Sequence, residues 1–316
     1  MNQLLLINYH YIHDPARWAH PGIHPLDEAG FEAQLVRLKS RLHAATPAEV
    51  EAFADGRLRF ERPAFFLTFD DGMAEHGTTV PAILERHGLK AVFFVISRPY
   101  LEQRPATVHK VHWLRANTPP DAFRENFLDR LPPEWREREQ DPEIQQAASS
   151  TNRYDPPATA RLKYMINFLL PFDLLDAVTA AMLEERGRPE AMFCRDFYMP
   201  EESITALDEA GHVVGCHSHA HRPLSTLETD ALDQDLGTCN RWIETLTGRR
   251  PDWLSYPWGS AWSIPDNAAA LRERHGYRLG LTLNRDWNRG GEETMRLNRV
   301  NTNEVDAMLE SLEVSA

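Results

Sequence analysis

Short, nearly unbroken apolar runs alternate along this chain with segments whose apolar residues recur every three or four positions. The runs "LLLINY" (4–9), "AFFLTF" (64–69), "AVFFVI" (91–96), "VVGC" (213–216), "WLSYP" (253–257) and "LGLTL" (279–283) read as strands. Between them lie helical patterns at roughly 27–41, with Phe31, Leu35 and Leu38 on one face, and at about 78–87, 202–210, 229–247 and 264–275. Their ends carry punctuation. "TPAEVEAFADG" has Thr46 as N-cap, Pro47 at the first helical position, Glu49 to complete a capping box and Gly56 beyond the end. Gly88, Gly211 and Gly248 follow other helices as C-caps. Repeated strand–helix units with continuous apolar strands predict an α/β fold, a parallel sheet covered by helices.

The rhythm breaks over 98–200. A structureless loop of that size is improbable inside a compact domain. "PATARLKYMINFLL" places Leu162, Met165, Ile166 and Leu169 at helical spacing, and "FDLLDAVTAAMLEERG" forms a second amphipathic segment, with Pro-rich polar joints nearby. The expected organisation is one α/β domain from 1–97 and 201–316, and a mostly helical insertion at 98–200 that caps one end of the sheet. A peripheral packing or dimerisation arm is the other reading.

Composition narrows the function. The 316-residue chain has a net charge of -13 and no basic block, which argues against a nucleic-acid partner. No run approaches the ~20 apolar residues of a membrane span. The start, "MNQLLLINYHYIHD", lacks a basic region and a small-residue cleavage site, and the three cysteines are scattered. These features predict no signal peptide, no disulfide framework and a cytoplasmic location. The oligomeric state is not encoded in any visible pattern.

The chemistry concentrates at strand ends. "FFLTFDDGMAEHG" ends a strand with Asp70 beside Asp71. Like charges this close repel, and burial worsens it, unless a cation joins them. Gly72 supplies freedom to turn both into one site; a helix cap is the alternative role. After "VVGC" come His217, His219 and His221. His217 and His221, four apart, fall on one side of a helical turn, while His219 points away; chance histidines are the alternative. Cys216 reads as a buried thiol. Two histidines and one aspartate would make a facial set for one divalent metal ion, zinc by default, with Fe, Co, Ni or Mn open.

"LTFDDG", then "HSHAH", then "SYPWG", in that order, resemble the polysaccharide deacetylase family, which includes nodulation-factor, chitin and peptidoglycan deacetylases. The likeness covers roughly 60–97 and 200–300. It implies a distorted (β/α) barrel of about seven parallel strands, with Asp70 as catalytic base and Asp71, His217 and His221 as metal ligands. It implies a main-chain N–H near Tyr256 for the oxyanion, and Tyr256 and Trp258 as walls of a sugar site. Two departures stand out. The loop Arg that orients the base is absent from Leu254-Ser255-Tyr256, leaving Arg296 or Arg299 in "RLNRVN" to replace it. The last strand, "LGLTLNRDWN", also lacks the catalytic-acid histidine. A circularly permuted subgroup, resembling exopolysaccharide poly-N-acetylglucosamine deacetylases, carries that histidine on an N-terminal strand ending in Tyr-His; here Tyr9 and His10 match, making His10 the general acid and Tyr9 a substrate neighbour.

The resemblance thus implies a metal-dependent hydrolase that removes an N-acyl group from a nucleotide-, lipid- or oligosaccharide-linked amino sugar. A small amide or ureide hydrolase and a non-catalytic sugar binder are the alternatives. A glycosidase is excluded, because adjacent Asp70 and Asp71 cannot flank a glycosidic bond at ~5–9 Å. His13, His20 and His24 are expected on a loop over the mouth. His109 and His112, three apart in the insertion, read as a solvated or substrate-facing helix rather than a second metal site, and Trp113 and Trp262 as packing residues that could stack on a sugar.

Overall fold

A computed structural model describes residues 2–14, 25–151 and 155–314. The chain divides into two compact units, one formed by the described residues of Met1–Arg17, His24–Gln103 and Cys194–Ala316, the other containing Arg104–Phe193.

The first unit is a nearly closed barrel. Its strands are β1 (Leu4–Tyr9), β2 (His43–Ala44), β3 (Ala64–Phe69), β4 (Ala91–Val95), β5 (Val213–Cys216), β6 (Trp253–Ser255), β7 (Leu279–Leu281) and β8 (Arg299–Asn301). Seven pair in the order β7-β6-β5-β4-β3-β1-β8, and the two-residue β2 joins β3 off this path. All the ladders are parallel, with Leu4 opposite Ala64 and Leu6 opposite Arg299 on the two sides of β1. Closure comes from a parallel bridge between Leu281 and Leu297, just before β8. There the Thr282 N–H donates to Leu297 O at 2.8 Å, and the Leu297 N–H to Gly280 O at 2.9 Å.

Strand alternation sorts the core into two faces. Leu5, Ile7, Tyr9, Phe65, Leu67, Phe69, Phe93 and Val95 share one cluster with Phe31, Leu35 and Leu38 of α1 (Glu28–Arg41). Leu4, Leu6, Phe66, Val92, Phe94, Trp253 and Leu281 form the other, with Val50 and Phe53 of α2 (Pro47–Ala54). The second cluster lies inside the barrel, and Asn8, Thr68 and Asp70 continue its parity toward the strand ends. The capping box at Thr46 and Glu49 forms as expected, and Gly88 ends α3 (Thr79–His87) in the left-handed conformation. The helix expected from 264 begins only at Ala270, because Pro265 is followed by a turn over Asp266–Ala269.

The second unit is helical. Pro120, Pro133 and Pro157 each open a helix, so the Pro-rich joints are helix starts. The stretch Met165–Leu169 winds as a π-helix. Lys110 is buried, its ammonium 2.6 Å from Asp176 Oδ1 and 2.7 Å from Glu190 Oε1. His109 is buried as well, at 1% exposure, which corrects the solvated-helix reading. Trp113 packs on Phe193, with the Arg188 guanidinium over its ring. No helix among the described residues is long and apolar enough to cross a membrane.

Candidate active site

The carboxyl ends of parallel strands are where such barrels gather reactive groups. His10 follows β1, Asp70 and Asp71 follow β3, His217 follows β5, and Ser255 ends β6.

Adjacent residues on a strand face opposite ways, so the two aspartates share a site only because the backbone turns. Asp71 (φ 81) and Gly72 (φ 69) are both left-handed. A side chain at Gly72 would meet Val95 Cγ1 at 3.2 Å. This strained non-glycine conformation at Asp71 brings its carboxylate beside that of Asp70.

Asp70 is almost completely enclosed. Arg299 Nη1 donates to its Oδ1 at 2.9 Å and Nη2 to its Oδ2 at 3.0 Å, while Ser255 Oγ donates to Oδ2 at 3.0 Å. Arg299 is itself fully buried and crosses the barrel interior, with Nε on Thr282 O and Nη1 near Thr68 Oγ1 and Asn8 Oδ1. Burial pushes the Asp70 carboxyl up, but the charges of Arg299 and His217 and the Arg299 hydrogen bonds more than offset it, and the net pKa lies below the usual range. Arg299, not Arg296, is thus the arginine that contacts Asp70. Arg296 instead donates to Pro265 O and Asp266 O.

Asp71 Oδ1 lies 3.3 Å from both His217 Nε2 and His221 Nε2. The three donor atoms fall within 4.8 Å of one another, and this is the group among the described residues with metal-binding spacing. Atoms on two ~2.0–2.1 Å zinc bonds of a tetrahedron stand about 3.3 Å apart, so the spacing and the N,N,O donor set both fit a divalent cation. His217 Nδ1 lies 2.8 Å from Ser255 O, a contact that places its proton on Nδ1 and leaves Nε2 to accept a ligand. Burial lowers the His217 pKa, yet Asp70 and Asp71 outweigh this and raise it overall: the cluster favours positive charge between its carboxylates.

The 217–221 segment is not helical. Ser218 (φ 67) and His221 (φ 54) are left-handed, and this turn, rather than a helical repeat, brings the two imidazoles to a 4.9 Å ring separation. His219 turns aside, with Nδ1 on Ser97 Oγ at 2.9 Å and Nε2 on Glu102 Oε1 at 3.0 Å. Cys216 is a fully buried thiol.

His10 Nε2 stands 3.7 Å from Asp71 Oδ2, with 34% of its side chain exposed. Partial burial lowers its pKa against the pull of Asp71 and Asp70. The buried His76, itself pushed down to about 4 by desolvation, lies with Nε2 2.6 Å from His10 O and fixes that main chain.

Two expected substrate residues face elsewhere. Tyr9 is buried on the outer face of β1, stacked on Phe69, and donates its hydroxyl to Gln34 Oε1 at 2.5 Å. Tyr256 is buried too, its hydroxyl on Met295 O at 2.8 Å and its N–H on Leu281 O at 3.2 Å. Pleat alternation explains both: each adjoins an inward residue, His10 or Ser255, and so points outward. Trp258 (φ 68) is half-buried, its ring 6.4 Å from His221 and 5.7 Å from the exposed Trp262. His13 is buried, with Nδ1 2.8 Å from Asp14 O; His20 and His24 fall outside the described residues. His109 and His112, 6.4 Å apart, belong to no group of three donors with that metal-binding spacing among the described residues.

The sequence model of the polysaccharide deacetylase family matches residues 57–113 and 176–280, about half of the chain, and the protein belongs to that family. The matched stretches contain Asp70, Asp71, His217, His221 and Ser255, whereas His10 and Arg299 lie outside them. No curated protein sequence matches the chain. Solved structures share the architecture. The Streptococcus pyogenes deacetylase PplD has a TM-score of 0.59 and 16% identity, covering 99% of this chain and 97% of that one. IcaB from Ammonifex degensii gives 0.58 and 14%, covering 98% and 97%. The BpsB deacetylase domain from Bordetella bronchiseptica gives 0.54 and 13%, covering 95% and 96%. At these identities the likeness concerns the fold.

Proposed function

We propose that this chain is a metal-dependent deacetylase that hydrolyses the N-acetyl amide of an amino sugar. One observation carries the reading: a carboxylate held ionised by a buried arginine sits beside an aspartate and two histidines spaced for one cation. A divalent cation, zinc on this donor set, would supply Lewis acidity and lower the pKa of a bound water from 15.7 to about 7.

The protein's own groups account for the proton movements. Asp70, fixed by Arg299 and Ser255, takes a proton from the attacking water as the new C–O bond forms. His10 gives a proton to the departing nitrogen as the C–N bond breaks, releasing acetate and the free amine. Its lowered pKa makes it a readier donor while reducing the fraction that carries the proton. Tyr256 has spent its N–H on the β7 ladder and Pro257 has none, so the next main-chain donor for the oxyanion is Trp258. The Trp258 ring forms part of the sugar site. The odd number and scatter of the three cysteines support a cytoplasmic site of action on a nucleotide-, lipid- or oligosaccharide-linked sugar.

The test is acetate release by the zinc-loaded protein from a panel of free, nucleotide-linked and oligomeric N-acetyl amino sugars, with a cyclic ureide alongside. Acetate release that falls at least about 10²-fold in Asp70→Asn, at unchanged zinc content, is expected. Ring opening of the ureide without acetate release would refute the sugar reading.

A further inference from the structure

The turn that carries His217 and His221 is held from behind by one side chain. Asp235, in the helix Thr229–Thr247, is 8% exposed. Its Oδ1 accepts the His219 N–H at 2.8 Å and its Oδ2 accepts the Ala220 N–H at 3.1 Å. A single carboxylate therefore clamps the two consecutive peptide groups that lie between the two imidazoles. Hydrogen bonds to an ionised acceptor are stronger than neutral ones.

The clamp has a task. Ser218 and His221 hold left-handed backbone conformations unfavourable for L-residues, and such conformations persist only where their surroundings enforce them. Within the turn, the Ser218 N–H reaches Cys216 Sγ at 3.4 Å and the His221 N–H reaches Ser218 Oγ at 2.8 Å. These are neutral, local bonds. From the other side the Arg98 N–H donates to His219 O at 3.0 Å. Asp235 supplies two bonds from a single carboxyl group, and it comes from a helix whose Leu236, Cys239 and Ile243 are in the core.

We infer that Asp235 is a positioning residue of the metal centre: by clamping the His219 and Ala220 amides it sets the spacing of His217 and His221, and through it the affinity for the cation. It acts through the turn and touches neither substrate nor metal. The inference rests on the metal-site reading above.

Zinc itself is the probe. Apparent Kd values come from competition with a chromophoric chelator, using the full chain stripped of metal. Asp235→Asn places an amide NH2 where a second acceptor is needed. It is expected to weaken zinc binding about 10–100-fold, the usual effect of losing a group that orients a ligand, with one zinc still bound at saturation. Asp235→Glu, which keeps the charge on a longer arm, is expected to fall between this variant and wild type. Asp233→Asn, on the same helix as Asp235, controls for general destabilisation: it removes the charge that Asp233 presents to Arg274 and His275 of the helix Ala270–His275 and leaves the turn alone, so its Kd stays at the wild-type value. Wild-type affinity in both Asp235 variants, or an equal loss in Asp233→Asn, overturns the inference. If Asp235→Asn does not fold, Asp235→Glu decides alone, and a wild-type Kd there overturns it. Failure of the underlying reading looks different: wild type itself then binds no zinc that His217→Ala abolishes.

Discussion

Arg299 grips both oxygens of Asp70, at 2.9 and 3.0 Å, across 229 positions of sequence. The contact runs through the inside of the barrel, from the start of β8 to the end of β3. It stabilises the ionised form of a carboxylate that burial pushes toward the neutral form. It also fixes the orientation of that carboxylate, because a bidentate guanidinium pair has a single planar geometry.

Substituting Arg299 therefore removes both charge and orientation. Arg299→Gln is expected to lower kcat at least about 10²-fold, since it disables the proposed base. It leaves a buried carboxylate without its partner, at a cost of about 3–5 kcal/mol. Arg299→Lys keeps the charge but not the fork, so it should recover stability better than turnover. Steady-state kinetics beside urea unfolding separate the two effects. Equal recovery of both by lysine would show that charge alone matters.

Removal of the cation is expected to abolish acetate release and to lower the melting temperature. Binding at one hundred times Kd stabilises by about 2.7 kcal/mol, which in a chain of this size is a shift of several degrees. Zinc should restore both. In His217→Ala neither the chelator nor added zinc should move the melting temperature. An activity insensitive to chelation after exhaustive dialysis would remove the cation from the reaction.

How much of this was written in the sequence depends on where adjacency means contact. The apolar strand runs and the capping box were legible because their signals are local, whereas His217 and His221 were read as one side of a helical turn and meet instead through a left-handed turn. β2 has only two residues and β8 reads Arg-Val-Asn, so neither carries an apolar run such as those that marked the equally short β6 and β7. Arg299 could be named as a candidate but not chosen over Arg296, because its partner is remote in the chain. Tyr9 and Tyr256 were misplaced by the opposite error: a residue next to an inward-facing one on a strand faces outward. Asp70 and Asp71 escape that rule only through two left-handed residues, of which Gly72 was the visible sign. Nothing marks Asp235 within the acidic helix "TDALDQDLG".

Closure of the barrel depends on a close approach at Gly280. A Cβ there would lie 2.6 Å from Met295 O and 2.7 Å from Tyr256 Oη. Main chain cannot yield as a flexible side chain does, and Gly280 O also accepts the Leu297 N–H that joins β7 to the segment before β8. Gly280→Ala is expected to destabilise the protein by about 1–3 kcal/mol. Gly237→Ala, in a helix where the nearest atom is the mobile Arg241 Nη1 at 3.2 Å, is expected to stabilise by up to about 1 kcal/mol. Urea midpoints that move the same way for both would contradict this account of closure.

Acid sensitivity should trace in part to His212, away from the metal cluster. Its Nδ1 accepts the Ala91 N–H at 3.2 Å at the start of β4, and its ring stands edge-on to Phe93. Burial, with help from the Lys90 charge, pushes its pKa from 6.5 down to about 4. Above pH 6.5 the imidazole is neutral in both folded and unfolded chains, and its contribution is complete. As pH falls from 6.5 toward 4 the unfolded chain binds a proton that the folded one refuses, so stability is lost across that window. Allowing for partial screening by solvent, the loss is on the order of 2 kcal/mol. Protonation also costs the acceptor for Ala91, so folded chains cannot take up the proton without breaking that bond. His212→Asn, which keeps an acceptor but does not titrate, should flatten the stability profile by that amount between pH 6.5 and 4 and leave it unchanged above pH 7. A profile for the variant that runs parallel to wild type would assign the acid sensitivity elsewhere.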